Sequence, residues 1–443
     1  MKKNSFLIPL LLPCIILSPS FILLPGLPAF RLEDFIILLL IVKLFLTRST
    51  YVFRVKDKNT KLFFFMLYMS IISITLPSLV YDTEIIFSDI MILPMLIRYL
   101  LIYLIVRSIQ NPETLKNCLI MFIAASAISI TIGIFQHYNM FSINTWLSPY
   151  YIDREMTLQS LIRGYYKSRI GGTHGDPRRF AYMIVVIVGL YSATILSLKS
   201  IKIKSMILPL LFSAILALIF TLSRSGIVAL VGGMLVVFSA LYRSSLNKNK
   251  IIRYSFFLML FIVFVLFFQS TEGFEERVMQ SDTISYKMSY HARIRDFFRP
   301  FNDAFENPLI FLVGRGPSKA VLRTSAHSDW GWMFHRFGLP GLMFYVLLIS
   351  NGLIAGVKLV DKATSGVSQI FIITALFNIV VWAFYANAED IFKDAQVMAI
   401  NMFSLGILGN RYLFLLKTPQ QLPVKSSKYS SDGALPQFSP YRN

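Results

Sequence analysis

Apolar residues in this chain gather in runs of about 20 that are hydrophobic on every side, and the charged residues fall between the runs. A helix of that length crosses about 30 Å of hydrocarbon with every backbone hydrogen bond made internally. A transmembrane β-barrel would instead alternate apolar and polar residues over about 10 positions, which these runs do not do. The pattern predicts twelve helical spans, near 6–26, 33–47, 62–80, 85–107, 117–136, 180–198, 205–222, 226–243, 251–269, 337–357, 367–388 and 392–413. The fold class is therefore all-α, a polytopic integral membrane protein. Helices 1–5 occupy 1–136, a first long loop 137–179, helices 6–9 the stretch 180–269, a second long loop with short helices 270–336, helices 10–12 the stretch 337–413, and a disordered tail 414–443. The tail's Ser, Pro and Gln content provides too little apolar surface for a core. There is no tandem repeat.

Composition agrees: 55% of the 443 residues are hydrophobic and only 15% charged, against about 25% in an ordinary soluble domain. Disorder, collagen and a disulfide scaffold are excluded. A net charge of +20, from 43 Lys+Arg against 23 Asp+Glu, would suggest nucleic acid had the bases formed one patch on a soluble domain. They lie instead in short connectors, as the positive-inside rule produces, so no nucleic-acid partner is expected. Arg48, Arg54, Lys56, Lys58 and Lys61, then Arg107 and Lys116, Lys199 to Lys204, Arg243 to Arg253, and Lys358 and Lys362 mark one side. Arg31 and Lys393 lie opposite, among the acids Glu33, Asp34, Asp82, Glu84, Glu389 and Asp390. This asymmetry places both termini in the cytoplasm and both long loops outside. Met1-Lys2-Lys3 and the run after it, interrupted by Pro13, Pro19 and Pro25 and without a small-residue cleavage site, read as a retained first helix. Cys14 and Cys118 sit in apolar runs without metal-type spacing and are assigned no function.

Candidate chemistry concentrates on the outer side. In Thr221-Leu222-Ser223-Arg224-Ser225-Gly226 an arginine stands between two spans with almost no connector, at the start of a helix whose free N–H groups point outward. Guanidinium and helix N-terminus together suit a phosphate oxygen. The competing reading is an arginine that snorkels to lipid headgroups while Ser223 or Ser225 merely caps the helix. The first loop ends Arg169-Ile170-Gly171-Gly172-Thr173-His174-Gly175-Asp176-Pro177-Arg178-Arg179-Phe180-Ala181, a shaped turn before a span. Arg169 is its site candidate, Arg178 and Arg179 read equally well as interfacial anchors, and His174 is a weak signal. The second loop alternates bases and aromatics: Arg293 and Arg295, then Gly314-Arg315-Gly316-Pro317, then His327-Ser328-Asp329-Trp330. The glycine-rich turn reads more readily as an ordinary turn than as a phosphate nest. Asp329 reads as a solvated loop acid. His327 and His335 are too far apart to chelate one ion, so neither a metal nor a cofactor is expected. Arg98, well inside the fourth span, calls for a partner such as Asp89 or Asp34.

In order and spacing, Arg169 to Ala181, Ser223 to Gly226, Arg293 to Pro317, and His327 followed by Phe337-Gly338-Leu339-Pro340-Gly341 resemble the bacterial O-antigen ligase and lipid-linked polysaccharide polymerase superfamily. The resemblance spans most of the chain. It implies a GT-C-like glycosyltransferase of the bacterial inner membrane that uses undecaprenyl-diphosphate-linked oligosaccharide at the periplasmic face, amid membrane lipids and with a chain-length regulator and a flippase as partners. By that similarity Arg224 and Arg293 serve in catalysis with His327, which acts on the acceptor hydroxyl. Arg169, Ser223, Ser225, Arg295 and Arg315 then bind diphosphate or glycan. Two positions depart from the pattern: Pro177-Arg178 stands where relatives tend to have Pro-Asn, and His335-Arg336 where many have an acid. The arginine-rich first loop favours a polymerase that holds two anionic lipid-linked substrates over a ligase that transfers glycan to lipid A-core or protein. A lipid-linked oligosaccharide transporter, from another class, would need access from both sides, whereas polar material here concentrates on one face.

Overall fold

The computed structural model describes residues 7–17, 20–21, 30–46, 57–81, 84–145, 169–243, 295, 298–299, 301–303, 305–316, 328–360, 362, 366–389 and 391–410. Among these the protein is a helical bundle. Its helices are α1 (Leu7–Leu17), α2 (Leu32–Leu46), α3 (Lys58–Tyr81), α4 (Phe87–Ile90), α5 (Ile92–Arg107), α6 (Pro112–His137), α7 (Pro177–Ser197), α8 (Ile201–Phe220), α9 (Arg224–Arg243), α10 (Pro308–Val313), α11 (Asp329–Val360), α12 (Val367–Tyr385) and α13 (Ala395–Gly409). A two-residue hairpin, Ser20–Phe21 against Phe30–Arg31, joins α1 to α2. A helix lies within each predicted span except 251–269, which is outside the described residues, as are 411–443; the first span, expected over 6–26, is corrected to a helix that ends at Leu17, with Ser20–Phe21 a strand. Six of the described helices, α3, α6, α7, α8, α11 and α12, are long and apolar enough to cross a membrane. The protein is thus membrane-embedded.

α7 and α12 form the centre. Of the most apolar stretch of α7, 89% of residues are buried, against 33% in α3. α7 packs on α12 and α8, α12 on α9, α11 and α13, and α1 on α6. Contact is close because small residues face rings: a Cβ at Gly189 would stand 2.3 Å from the Phe377 ring, and one at Gly232 2.5 Å from that of Phe384. The outer helices turn apolar side chains away from the bundle, among them Phe64, Phe65, Tyr68 and Ile71 of α3 and Met206 and Phe212 of α8. That is the surface lipid would cover.

Helix ends are set by local chemistry. Asn111, Asp176, Asn307 and Asp394 each accept a hydrogen bond from a first-turn amide of α6, α7, α10 and α13, respectively. Proline stands in the first turn of α6, α7 and α10, where a missing N–H costs nothing.

α11 is not one straight rod. Gly338 adopts φ 63° and ψ −156°, and a Cβ at Gly341 would lie 2.6 Å from the Met333 carbonyl oxygen, whereas eight residues along a straight helix would separate them by about 12 Å. Asp329–Phe337 and the segment after Gly338 are therefore the arms of a tight helical hairpin. The Tyr345 hydroxyl donates to Asp329 across it.

Candidate functional site

Chain direction brings the ends of α6, α8 and α12 and the starts of α7, α9, α11 and α13 to one end of the bundle, together with the predicted polar motifs. α8 stops at Phe220, Leu222 takes the left-handed region at φ 50°, and α9 starts at Arg224. Ser223 caps α9: its side-chain oxygen accepts from Gly226 N at 3.2 Å and its carbonyl from Ile227 N at 3.2 Å. Its hydroxyl lies 3.1 Å from that of Ser225. Gly226 packs closely, since a Cβ there would stand 3.1 Å from both Ala181 and the Tyr385 hydroxyl. Tyr385, fully buried, approaches the hydroxyls of Ser223 and Ser225 without completing a hydrogen bond. Arg224, half-buried, leads α9 outward at that point.

Arg169 joins the same turn from the other side. Its Nε donates to the Thr221 carbonyl at 2.7 Å, and Ile170 N donates to the Phe220 carbonyl at 3.3 Å. These carbonyls end α8, where the helix dipole favours a cation. The structure thus brings Arg169, Ser223, Arg224 and Ser225 together, backed by Tyr385.

The glycine turn after Arg169 is locked in place. Gly172, at φ 53°, exchanges hydrogen bonds with the Gln136 side chain, and a Cβ on it would strike the Phe180 ring at 2.2 Å. Arg178 pairs with Asp176 at 3.0 Å and Glu389 at 2.9 Å, and Arg179 with Asp394 at 2.9 Å. The expectation that Arg178 and Arg179 anchor at the interface gives way to another role: they clamp the start of α7 to the α12–α13 connector. Burial alone would raise the carboxyl of Asp176, but Arg178, Arg179 and the Arg178 amide outweigh it and hold it below the usual carboxylate value. For Asp394 the balance is the same, with Arg179, Arg31 and the amide of Val397 overcoming burial.

Further residues assemble at the tip of the α11 hairpin. α10 ends at Gly314, φ 76°, where a Cβ would overlap the Arg336 carbonyl at 2.2 Å. Arg315 N donates to His335 O at 2.9 Å, Gly316 N to Arg336 O at 3.1 Å, and the Ser73 hydroxyl to Arg336 O at 2.6 Å. The amides of Arg315 and Gly316 are thereby spent on carbonyls, so the ordinary-turn reading of 314–317 holds over its described part. Arg315 pairs with Asp303 at 3.3 Å, and the Arg336 guanidinium stacks 4.3 Å over Trp332. Arg295 is itself helical and exposed, ahead of this group in the chain. Arg293 and His327 lie outside the described residues.

Asp329 departs from expectation. Far from a solvated loop acid, it is fully buried: Oδ1 accepts from Phe392 N at 2.8 Å, Oδ2 from Tyr345, and its own N–H donates to Ala386 O at 2.9 Å. The hairpin inserts it between α12 and α13, so it fastens the start of α11 beside Tyr385. Ser328, next to His327, caps that arm through Gly331 N. Arg98 pairs with Glu33 at 2.6 Å and Asp34 at 3.1 Å, whereas Asp89, the other partner expected, accepts from Ile86 N.

Tyr385, Glu389, Asp394 and His174 are the neighbours that sequence reasoning missed as participants. The acids of the 386–394 connector complement Arg178-Arg179 in charge, and that complement was the available signal. A comparison with protein-family models gives no match for the chain, and a comparison with curated proteins gives none either.

Proposed function

We propose that this protein is a metal-independent membrane glycosyltransferase of twelve spans and GT-C-like form, with both termini cytoplasmic in the bacterial inner membrane. On this reading it polymerises undecaprenyl-diphosphate-linked repeat units at the periplasmic face. The observation that carries the reading is the meeting of three distant segments at one bundle end: Arg169 on the Thr221 carbonyl, Ser223 to Gly226 against Tyr385, and the arm that follows His327 hydrogen-bonded to Ala386.

In the proposed reaction an acceptor hydroxyl oxygen attacks the anomeric carbon of the lipid-linked glycan. The bond from that carbon to the diphosphate oxygen breaks, and its electron pair leaves with the diphosphate. Arginines stay protonated and bind two oxygens at once, so they stabilise that charge as it develops. Arg178 and Arg179 already have carboxylates in contact. The diphosphate is assigned to Arg224, at the start of α9 where the helix N–H groups and dipole favour an anion, and to Arg169, which the Thr221 carbonyl holds beside the same turn. His327 takes or orients the acceptor proton, and Arg293, Arg295 and Arg315 follow the glycan.

Surface glycans of a strain lacking the protein test this on a gel beside the parent and an Arg224→Ala complement. A lipid A-core bearing one repeat unit, with longer chains lost and not restored by Arg224→Ala, is expected. Long chains left on undecaprenyl diphosphate above bare core would make it a ligase. Repeat units held on the cytoplasmic side would make it a transporter, and unchanged glycan would end the reading.

A further inference from the structure

His174 closes a one-turn helix, Gly172–His174, between Arg169 and α7, and only 5% of it is exposed. Its proton can be placed by counting. The Thr173 hydroxyl owns one hydrogen, and it donates to the Ile16 carbonyl at 2.9 Å, a group that only accepts. The other neighbours of that oxygen, Ser129 Oγ at 2.8 Å and His174 Nδ1 at 3.1 Å, must then donate to it. His174 therefore carries its hydrogen on Nδ1, and Nε2 presents a bare lone pair.

That lone pair is buried and has no hydrogen-bond partner among the described residues. The charged groups acting on the ring are Asp394, Arg31, Arg179 and Asp176. The carboxylates have no proton to give, and Arg179 is ion-paired with Asp394, its Nε 2.9 Å from Oδ2. Burial, with the two arginines, pushes the imidazole down to about 4 against the pull of the two acids, so the ring is neutral near pH 7. A buried acceptor without a donor costs stability that an apolar ring of the same shape would not. Pairing Nε2 with a donor would remove that cost.

We infer that His174 Nε2 accepts a hydrogen bond from a neutral hydroxyl of the sugar substrate, at a subsite beside the Arg179–Asp394 pair. The chemistry of the ligand follows from the surroundings. An anion would face a lone pair, and two arginines set against two carboxylates give surroundings balanced in charge, which suits a neutral donor. So weak a base holds a hydroxyl without deprotonating it, so the role is selection and positioning, and a site built to pair with a hydroxyl rejects a sugar that lacks it. The assignment to sugar rests on the glycosyltransferase reading. A single buried water supplies the same O–H chemistry and is the alternative source.

Two variants separate them in the deletion strain, with surface glycan on a gel, protein content of the membrane and melting in detergent all measured. His174→Phe keeps a ring and removes the acceptor; His174→Gln puts an amide oxygen near the position of Nε2. Long glycan is expected to fall about tenfold or more in His174→Phe at normal membrane content and unreduced melting temperature, and to return in His174→Gln. Parental glycan from His174→Phe means that only a water or packing is served, and overturns the inference. So does a stable His174→Gln that makes no long glycan. If His174→Phe does not accumulate, Thr173→Val, which frees the Nδ1 proton to move to Nε2, must show the same loss, and full glycan from it is equally fatal. Unchanged glycan in the deletion strain itself would instead refute the glycosyltransferase reading, and the sugar assignment with it.

Discussion

Asp394 and Arg179 provide a quantitative test of the clamp at the bundle end. The Asp394 side chain is 1% exposed and that of Arg179 is 29% exposed, with Nε and Oδ2 2.9 Å apart. Oδ1 of the same carboxylate accepts from Gln396 N at 3.0 Å and Val397 N at 2.9 Å, so the residue also caps α13. Arg179→Met leaves a carboxylate buried without this partner, which costs about 3 kcal/mol, the low end for a broken buried pair because the guanidinium is partly solvated. Asp394→Asn keeps an oxygen for the cap and lets the arginine lean towards solvent, at about 1–2 kcal/mol. The double variant removes the same contact only once. Equilibrium unfolding in mixed detergent micelles should then give a coupling of about 2 kcal/mol. Because the carboxyl of Asp394 is held low, its contribution is present above the ordinary carboxylate value and is lost only as pH falls through its depressed one. The coupling should accordingly be equal at pH 7 and at about pH 5. Additivity within about 0.5 kcal/mol would show that the clamp contributes nothing beyond its separate ends.

Other expectations follow from the same contacts. Gly338→Ala forces a side chain into φ 63° and sets a Cβ 2.7 Å from the Phe311 carbonyl oxygen, so membrane accumulation should collapse, with a loss of about 3 kcal/mol or more in any protein recovered. Arg98→Met leaves Glu33, fully buried, without its 2.6 Å partner and should cost about 3–5 kcal/mol, much of it recovered when Glu33→Gln is added; no recovery would mean that the pair is not what holds α2 to α5. His174 takes up its proton near 4 when folded and near 6.5 when unfolded. The unfolded chain therefore binds the extra proton between those values, and stability, full above about pH 6.5, should fall by up to about 3 kcal/mol as pH drops towards 4. His174→Phe should flatten that part of the pH profile.

What the sequence made legible followed from lipid as a solvent. A segment that must satisfy its own backbone and face hydrocarbon declares itself in about 20 consecutive apolar residues, and helices stand where those runs predict them. The Arg169 and Ser223 motifs were also legible, because a charge or a glycine pair beside an apolar run is conspicuous. Partners across the bundle were not. Asp34 was one expected counter-ion of Arg98, but nothing local marks Glu33 as the second or excludes Asp89; the choice depends on how α2 rotates against α5. Asp329 read as a loop acid because its neighbours in sequence are polar, yet its partners, Tyr345 and Phe392, are 16 and 63 residues away. The return at Gly338 brings them together, and one glycine inside a long helical pattern does not announce a reversal.

The two departures from the pattern that the chain resembles can be weighed on the same contacts. Extra positive charge at Arg178 and at His335-Arg336 would argue for a more acidic glycan if those groups pointed unopposed into the site. Arg178 instead bridges Asp176 and Glu389. Arg336 lays its guanidinium on Trp332, while its carbonyl receives Ser73 and Gly316. His335 gives its carbonyl to Arg315 and has its Nε2 3.8 Å from Asp303. Each of these bases has a partner elsewhere in the chain: the acids of the α12–α13 connector for Arg178, and Trp332 and Asp303 for Arg336 and His335. Base and counterpart together form a structural joint, one binding α7 to α12 and α13, the other binding α10 to the hairpin and α3. The bases at Arg178 and Arg336 are therefore explained by the assembly of the bundle end, and they are no argument for a more acidic glycan.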